Sequence, residues 1–161
     1  MGSAKKQEPQ LIGVISDTHG LIRPQALQAL QGVDLIIHAG DIGALEVMDA
    51  LRLIGPVVAI KGNNDNEGWA TSLPDTKLVQ LNAAKLYVIH NVRELDLDPV
   101  ARGIQVVISG HSHKPLVVKR DGVLYLNPGS AGPRRFKLPV AVAKLTVRLK
   151  TIEAKIIELV L

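Results

Sequence analysis

Short apolar runs alternate with stretches of helical spacing along the first sixty positions. Leu11–Ile15 (LIGVI) reads as a buried strand that ends at Ser16-Asp17. Arg23-Pro24 then opens a helix, with proline at an early position, and Gly32 closes it. Asp34–His38 (DLIIH) is a second strand. From Ala44 to Ile54, apolar residues stand at Ala44, Val47, Met48, Leu51 and Ile54, which predicts a helix with one buried face that stops at Gly55-Pro56. Val57–Ile60 is a third strand. Strand–helix–strand–helix–strand in this short a span predicts a parallel sheet with right-handed crossovers.

The pattern changes in the second half. Lys77–Leu81, Lys85–His90 and Ile104–Ser109 read as strands, with a short helix expected at Asp98–Arg102. Leu116–Lys119 and Val123–Leu126 flank Asp121-Gly122, a hairpin signal. From Ala141 to Leu149 the odd positions are apolar, while Lys144, Thr146 and Arg148 point the other way, as in a half-buried antiparallel strand. Ile152–Glu158 continues as its partner. The expectation is two facing sheets with helices outside, in one domain over 11–161 after a flexible tail at 1–10.

Composition narrows the classes of function. The chain of 161 residues is the length of about one domain, and 47% hydrophobic against 21% charged is a globular balance. Without cysteine there is no disulfide, iron–sulfur cluster, zinc ribbon or thiol nucleophile. No apolar stretch approaches the ~20 residues of a membrane span. Residues 1–10 hold no apolar signal region, so a cytoplasmic protein is expected. The net charge of +4 is dispersed, and the aromatics are only Trp69, Tyr87, Tyr125 and Phe136. That is too few for a base-stacking platform, so nucleic acid is not the expected partner, while a small anion is.

The chemistry gathers where strands end. Asp17 and His19 follow LIGVIS, His38 and Asp41 follow DLII, and Asn63 and Asp65 follow VVAIKG. His90 closes KLYVIH, and His111 and His113 follow QVVISG. In an open α/β sheet the loops at strand carboxyl ends line one crevice. Taken singly, each group has a structural reading: an Asp-x-His turn, a helix cap, a Gly-Asn-Asn-Asp turn, a strand-end imidazole. Taken together, all five histidines of the chain fall in these slots, and the structural reading weakens.

The ordered set Asp17-x-His19, Gly40-Asp41, Gly62-Asn63-Asn64-Asp65, His90 and Gly110-His111-x-His113 resembles the calcineurin-like metallophosphoesterases. Chain length and Asn127-Pro128-Gly129-Ser130 resemble its small branch, the YfcE/MJ0936-type phosphodiesterases. The resemblance implies a four-layer α/β/β/α sandwich of two facing mixed sheets with a dinuclear metal centre at one edge. It implies Asp17, His19 and His113 on one ion, Asn63, His90 and His111 on the other, and Asp41 bridging them. The activity implied is metal-dependent phosphoester hydrolysis, first of diesters, by a hydroxide shared between the ions. An N and O ligand set suits manganese first, and also nickel, iron, cobalt or zinc.

One position departs from the family. Where many members carry histidine after the metal-binding asparagine, this chain has Asn64, an amide that can hydrogen-bond a phosphoryl oxygen but cannot protonate a leaving group. Asn64, Asp65 and His38 are therefore expected near the chemistry beside Asp41. His38 stands either as a residue orienting a ligand or loop, or as a strand-end histidine satisfied by backbone. Ser130 and Arg134, with Arg135 beside it, are expected to contact substrate, the alternative for the arginines being a solvated loop. Trp69 either walls the cleft or anchors its loop. Two further readings stay open: phosphomonoester hydrolysis, and a non-catalytic scaffold like the retromer subunit Vps29, which shares this resemblance. Relatives often form dimers or tetramers, so a homo-oligomer is expected.

Overall fold

The computed structural model describes residues 9–161. Its first sheet has the strand order β10-β9-β1-β2-β3, and its second β4-β5-β6-β8-β7. In the first, β1 (Gln10–Ile15), β2 (Leu35–His38) and β3 (Val57–Ala59) run parallel, while β9 (Ala141–Val147) and β10 (Ile152–Glu158) form an antiparallel pair alongside β1. In the second, β5 (Lys85–Ile89), β6 (Val106–Ile108) and β8 (Val123–Asn127) are parallel. Antiparallel β4 (Thr76–Gln80) and β7 (Leu116–Arg120) form its edges.

Side-chain alternation assigns each face. Ile12, Val14, Ile37, Ala143 and Leu145 of the first sheet meet Leu86, Val88, Val106, Ile108 and Leu126 of the second in a shared core. The opposite face of the first sheet, with Ile36, Ala59 and Val142, is covered by helices α1 (Pro24–Ala29) and α2 (Leu45–Arg52). Proline at the first position of α1 costs nothing there, because that N–H has no partner inside a helix. Val47, Met48 and Leu51 form the buried stripe that the spacing predicts for α2. At Asp121 and Gly122, φ of 51° and 79° makes the tight hairpin turn between β7 and β8.

Three expectations change. Asp98–Arg102 is a turn instead of a helix, its amide ends held by Arg102 N–H to Asp98 C=O (3.2 Å) and Val100 N–H to Asp98 Oδ1 (3.1 Å). The outer face of the second sheet is accordingly covered by a 3-10 turn at Val92–Glu94 and the loop after it, with Leu95, Leu97 and Ile104 packing on Val107 and Val123. Of the expected tail, residues 1–8 lie outside the described residues, and Gln10 already pairs with Val147.

Candidate metal centre

The carboxyl ends of β1, β2 and β3 meet those of β5, β6 and β8 at one edge of the sandwich. Backbone bonds tie the loops together within each sheet, and side-chain bonds cross from one sheet to the other. Asp17 N–H donates to Gly40 C=O (3.0 Å), and Gly110 N–H donates to His90 C=O (2.9 Å). His111 N–H donates to Asp17 Oδ2 (3.0 Å), and Ser130 Oγ donates to Asp17 C=O (3.0 Å). Among the described residues, seven non-glycine residues have positive φ. Five of them are Asp17, His19, Asp41, His111 and His113, at φ between 46° and 71°. Such backbone is unfavourable for L residues and persists only where the surroundings impose it. Here it aims the side chains inward.

Each carboxylate is divided between backbone and cavity. Asp17 Oδ2 accepts from Ser16 Oγ (2.7 Å) and His111 N–H, and Asp41 Oδ1 accepts from Asn64 N–H (2.9 Å). The other oxygens face imidazoles. Asp17 Oδ1 lies 3.8, 3.8 and 3.4 Å from Nε2 of His19, His90 and His113. Asp41 Oδ2 lies 3.2 Å from His90 Nε2 and 3.8 Å from His19 Nε2. Asp17 Oδ1, His19 Nε2 and His90 Nε2 are all buried without a hydrogen bond. His90 Nδ1–H donates to Ala39 C=O at 2.7 Å, so in the neutral ring Nε2 presents a lone pair to two carboxylate oxygens.

That arrangement is unfavourable as it stands and fits a cation. Most of these separations are too long for hydrogen bonds, whereas two atoms each about 2.1 Å from one ion lie roughly 3–3.5 Å apart. The ligand-capable atoms fall into two groups, Asp17–His19–His113 and Asp17–Asp41–His90, each with its atoms within 4.8 Å of one another. His111 packs edge-on against His90, with ring centroids 5.3 Å apart, and Asn63 lines the cavity beside His90.

Residues 11–150 match the calcineurin-like phosphoesterase superfamily domain. The chain belongs to that superfamily. It is 39% identical over 160 residues to "Probable metallophosphoesterase MJ0623" of Methanocaldococcus jannaschii, covering 91% of this chain and 80% of that one. It is 28% identical over 137 residues to "Phosphodiesterase MJ0936" of the same organism, covering 73% and 82%. The structure of Vps29 from Chaetomium thermophilum superposes with a TM-score of 0.75 at 20% identity, covering 93% and 97%, which is a likeness of fold. The superfamily is metal-dependent, and the buried ligand groups described above suit that chemistry.

Several expected site residues of this phosphoesterase serve the scaffold. Asp65 is buried and accepts from the N–H groups of Ile42 (3.1 Å), Gly43 (3.0 Å) and Gly62 (2.9 Å), clamping the loops that carry Asp41 and Asn63. Ser130 Oγ is occupied by Asp17 C=O and Gly132 N–H. Arg134 is exposed and donates to Leu138 C=O, whereas its neighbour Arg135 lines a cavity with His111. Trp69 packs on the helix-side core and anchors its loop. The chain also uses polar residues not assigned from sequence. Ser16 holds Asp17, and Asn127 Nδ2 donates to Gly110 C=O (2.9 Å) and Ser112 Oγ (3.1 Å). Their signal was position: each is a polar residue at or just beyond a strand end.

His38 lies wholly inside. Its Nδ1 accepts from Gly40 N–H (3.1 Å), which puts the proton on Nε2, 3.0 Å from Thr18 Oγ1. Thr18 passes its own proton to Ile42 C=O (2.8 Å). With no exposed surface and both nitrogens engaged, His38 ties together the loops of Thr18 and Gly40.

Burial pushes the His38 pKa from 6.5 down to about 4. The unfolded chain therefore binds this proton first, so the associated stability is present above pH 6.5 and is lost as pH falls toward 4. About 2.5 units at 1.36 kcal/mol each make this about 3 kcal/mol. Asp17 and Asp41 shift for other reasons. Burial alone would raise both, but the Ser16 hydroxyl and the His113 and His90 imidazoles hold Asp17 below 3.8. His90, the Asn64 N–H and His19 hold Asp41 at about 2. Their contribution is lost only below the ordinary carboxylate range. For His90, burial is outweighed by Asp41, Ala39 C=O and Asp17, which raise its pKa, so its contribution fades as pH climbs above 6.5. In chelator, urea unfolding of the wild type is expected to lose about 3 kcal/mol between pH 6.5 and 4, and His38→Gln to lose little of it. Equal slopes would place the titration elsewhere.

Proposed function

We propose that this chain is a metal-dependent phosphodiesterase working with two divalent ions, manganese first among them. The ring of buried, unpartnered ligand atoms around Asp17 Oδ1 carries the reading. Asp17, His19 and His113 would hold one ion, Asn63, His90 and His111 the other, with Asp41 between them. When bound, such ions supply positive charge to phosphoryl oxygens and an acidified water as nucleophile. The residues of this chain supply the rest. Ser16 and the His111 N–H fix the Asp17 carboxylate, and the Ala39 carbonyl fixes the His90 tautomer. Asn64, exposed and bonded through its N–H to Asp41 Oδ1, would offer its side-chain amide to a phosphoryl oxygen.

A diester is favoured over a monoester by the room available. One cavity of about 440 Å³ opens beside Asn63 and His90, and another of about 350 Å³ beside His111 and Arg135, one for each ester substituent. A relative named phosphodiesterase supports the same reading. The scaffold alternative rests on likeness of fold to Vps29, and it gives no reason for so many converging imidazoles and carboxylates.

Neither Asn64 nor the enclosed His38 can protonate a leaving group. Methyl p-nitrophenyl phosphate and bis-p-nitrophenyl phosphate, whose leaving group needs no proton, are therefore expected to turn over readily. Dialkyl phosphates are expected to be slower by more than their intrinsic reactivity, by an added factor of roughly 10²–10⁴. Steady-state rates with manganese across a leaving-group series test this. A rate insensitive to leaving-group acidity would show that a general acid is present.

A further inference from the structure

The loop after Ser130 displays Phe136, the only phenylalanine of the chain, 90% exposed and at φ 54°. A bulky side chain in left-handed backbone is sterically unfavourable, and among the described residues the ring is left almost wholly uncovered. The turn is closed by Leu138 N–H donating to Arg135 C=O (3.1 Å), with Phe136 near its tip. A cavity of about 820 Å³ lies against the ring, lined also by Ser112, Lys114, Arg135 and Lys137. Arg135 and Ser112 line the smaller cavity as well, which runs to His111 and includes Arg93. The two cavities adjoin at Arg135 and Ser112, one reaching His111 and the other the ring, and all the charged groups lining them other than His111 are cations. The cavity on the other side of the centre differs, with Asp75, Glu94 and Asp96 around Lys61.

We propose that Arg135 and Phe136 form the subsite for one ester substituent of the substrate, and that this substituent is a planar ring carrying a further negative charge, of the nucleotide class. The inference rests on the phosphodiesterase reading. The ring stacks on Phe136, and the extra phosphate sits between Arg135 and Lys114 or Lys137. Arg135 offers a planar donor fork suited to two phosphate oxygens. One aromatic is enough for one base, although it is too little for a strand of nucleic acid. The acidic cavity opposite would repel such a group, which sets the orientation of the diester.

Because Phe136 is unique, 4-fluorophenylalanine incorporation gives a single fluorine resonance at this ring. In zinc-loaded protein, adenosine monophosphate is expected to shift that resonance to saturation. Adenosine and ribose phosphate should need at least about ten times the concentration, and Arg135→Ala should weaken the monophosphate about tenfold, with partial recovery in Arg135→Lys. Absence of a shift with adenosine monophosphate overturns the proposal, and so does adenosine binding as tightly, which would mark a bare apolar patch. Diester hydrolysis is assayed in parallel on the same protein loaded with manganese. Saturable binding without hydrolysis would refute the phosphodiesterase reading and leave the subsite standing, and hydrolysis with a silent resonance would do the reverse.

Discussion

Asp41→Asn is expected to lose one of two bound divalent ions and roughly 10³-fold in diester hydrolysis, while the chain stays folded. The loss of several kcal/mol of charge stabilisation at the reacting phosphoryl group sets that scale. Asp41 is charged at every working pH, since its neighbours bring its pKa to about 2. Its Oδ2 stands 3.2 Å from His90 Nε2 and 3.8 Å from His19 Nε2, so it faces both halves of the ligand set. Asparagine keeps the shape, and its carbonyl can still accept from Asn64 N–H. Its amino group then occupies the Oδ2 position and turns N–H donors toward a place that needs lone pairs. Metal analysis and initial rates read the change, and circular dichroism shows that the fold is kept. Unchanged metal content and rate in a folded variant would remove Asp41 from the centre.

Gly110→Ala is expected to lower Tm by roughly 2–12 °C and to weaken metal binding as well. The backbone of Gly110 passes directly over Ser16 and Asp17. A Cβ there would collide with Ser16 Oγ and come within 2.6 Å of Asp17 Oδ2. The Gly110 N–H bond to His90 C=O and the Asn127 side-chain bond to Gly110 C=O leave little room to yield. Overpacking of this kind costs about 1–3 kcal/mol, and a chain this long loses about 2–4 °C per kcal/mol. The displaced atoms are those that aim Asp17 at the imidazoles, so stability and metal affinity should fall together. Gly68→Ala is the matched control. It meets nothing within 4 Å, and its Tm should stay near that of the wild type. A Gly110→Ala protein with native Tm and full metal content would mean that the crossing is looser than the geometry indicates.

What could be read from the sequence, and what could not, follows from range. The apolar runs around Ile12, Ile37, Val58, Val88 and Val107 locate the strands, because burial on both faces leaves no other pattern. The acids and imidazoles just after them locate the site, because parallel strands end at one edge. Strand and helix ends differ from expectation by a residue or two, as at Ala44 and Ile60, where fraying decides. The functions of Asp65, Ser130 and His38 could not be read in the same way. Each is a polar residue beside the ligands, and only the loop paths reveal that its atoms are spent on backbone N–H and C=O groups. Arg134 and Arg135 are indistinguishable in the sequence, and both are exposed; only the folded loop bonds one to Leu138 C=O and sets the other along the cavity that holds His111. The pattern predicts a short helix at Asp98–Arg102, but the segment forms a turn and the stretch before it packs as a loop through Leu95 and Leu97.

The proposed chemistry needs two divalent ions at the edge where β1, β2, β5 and β6 end. The measurement that tests this most directly is a count of manganese per chain, by elemental analysis of protein loaded with the ion and dialysed, in the wild type and in His111→Ala. Two ions per wild-type chain, with one lost in the variant, is the result predicted. A wild-type chain that retains no ion, or one ion that His111→Ala leaves in place, would contradict it.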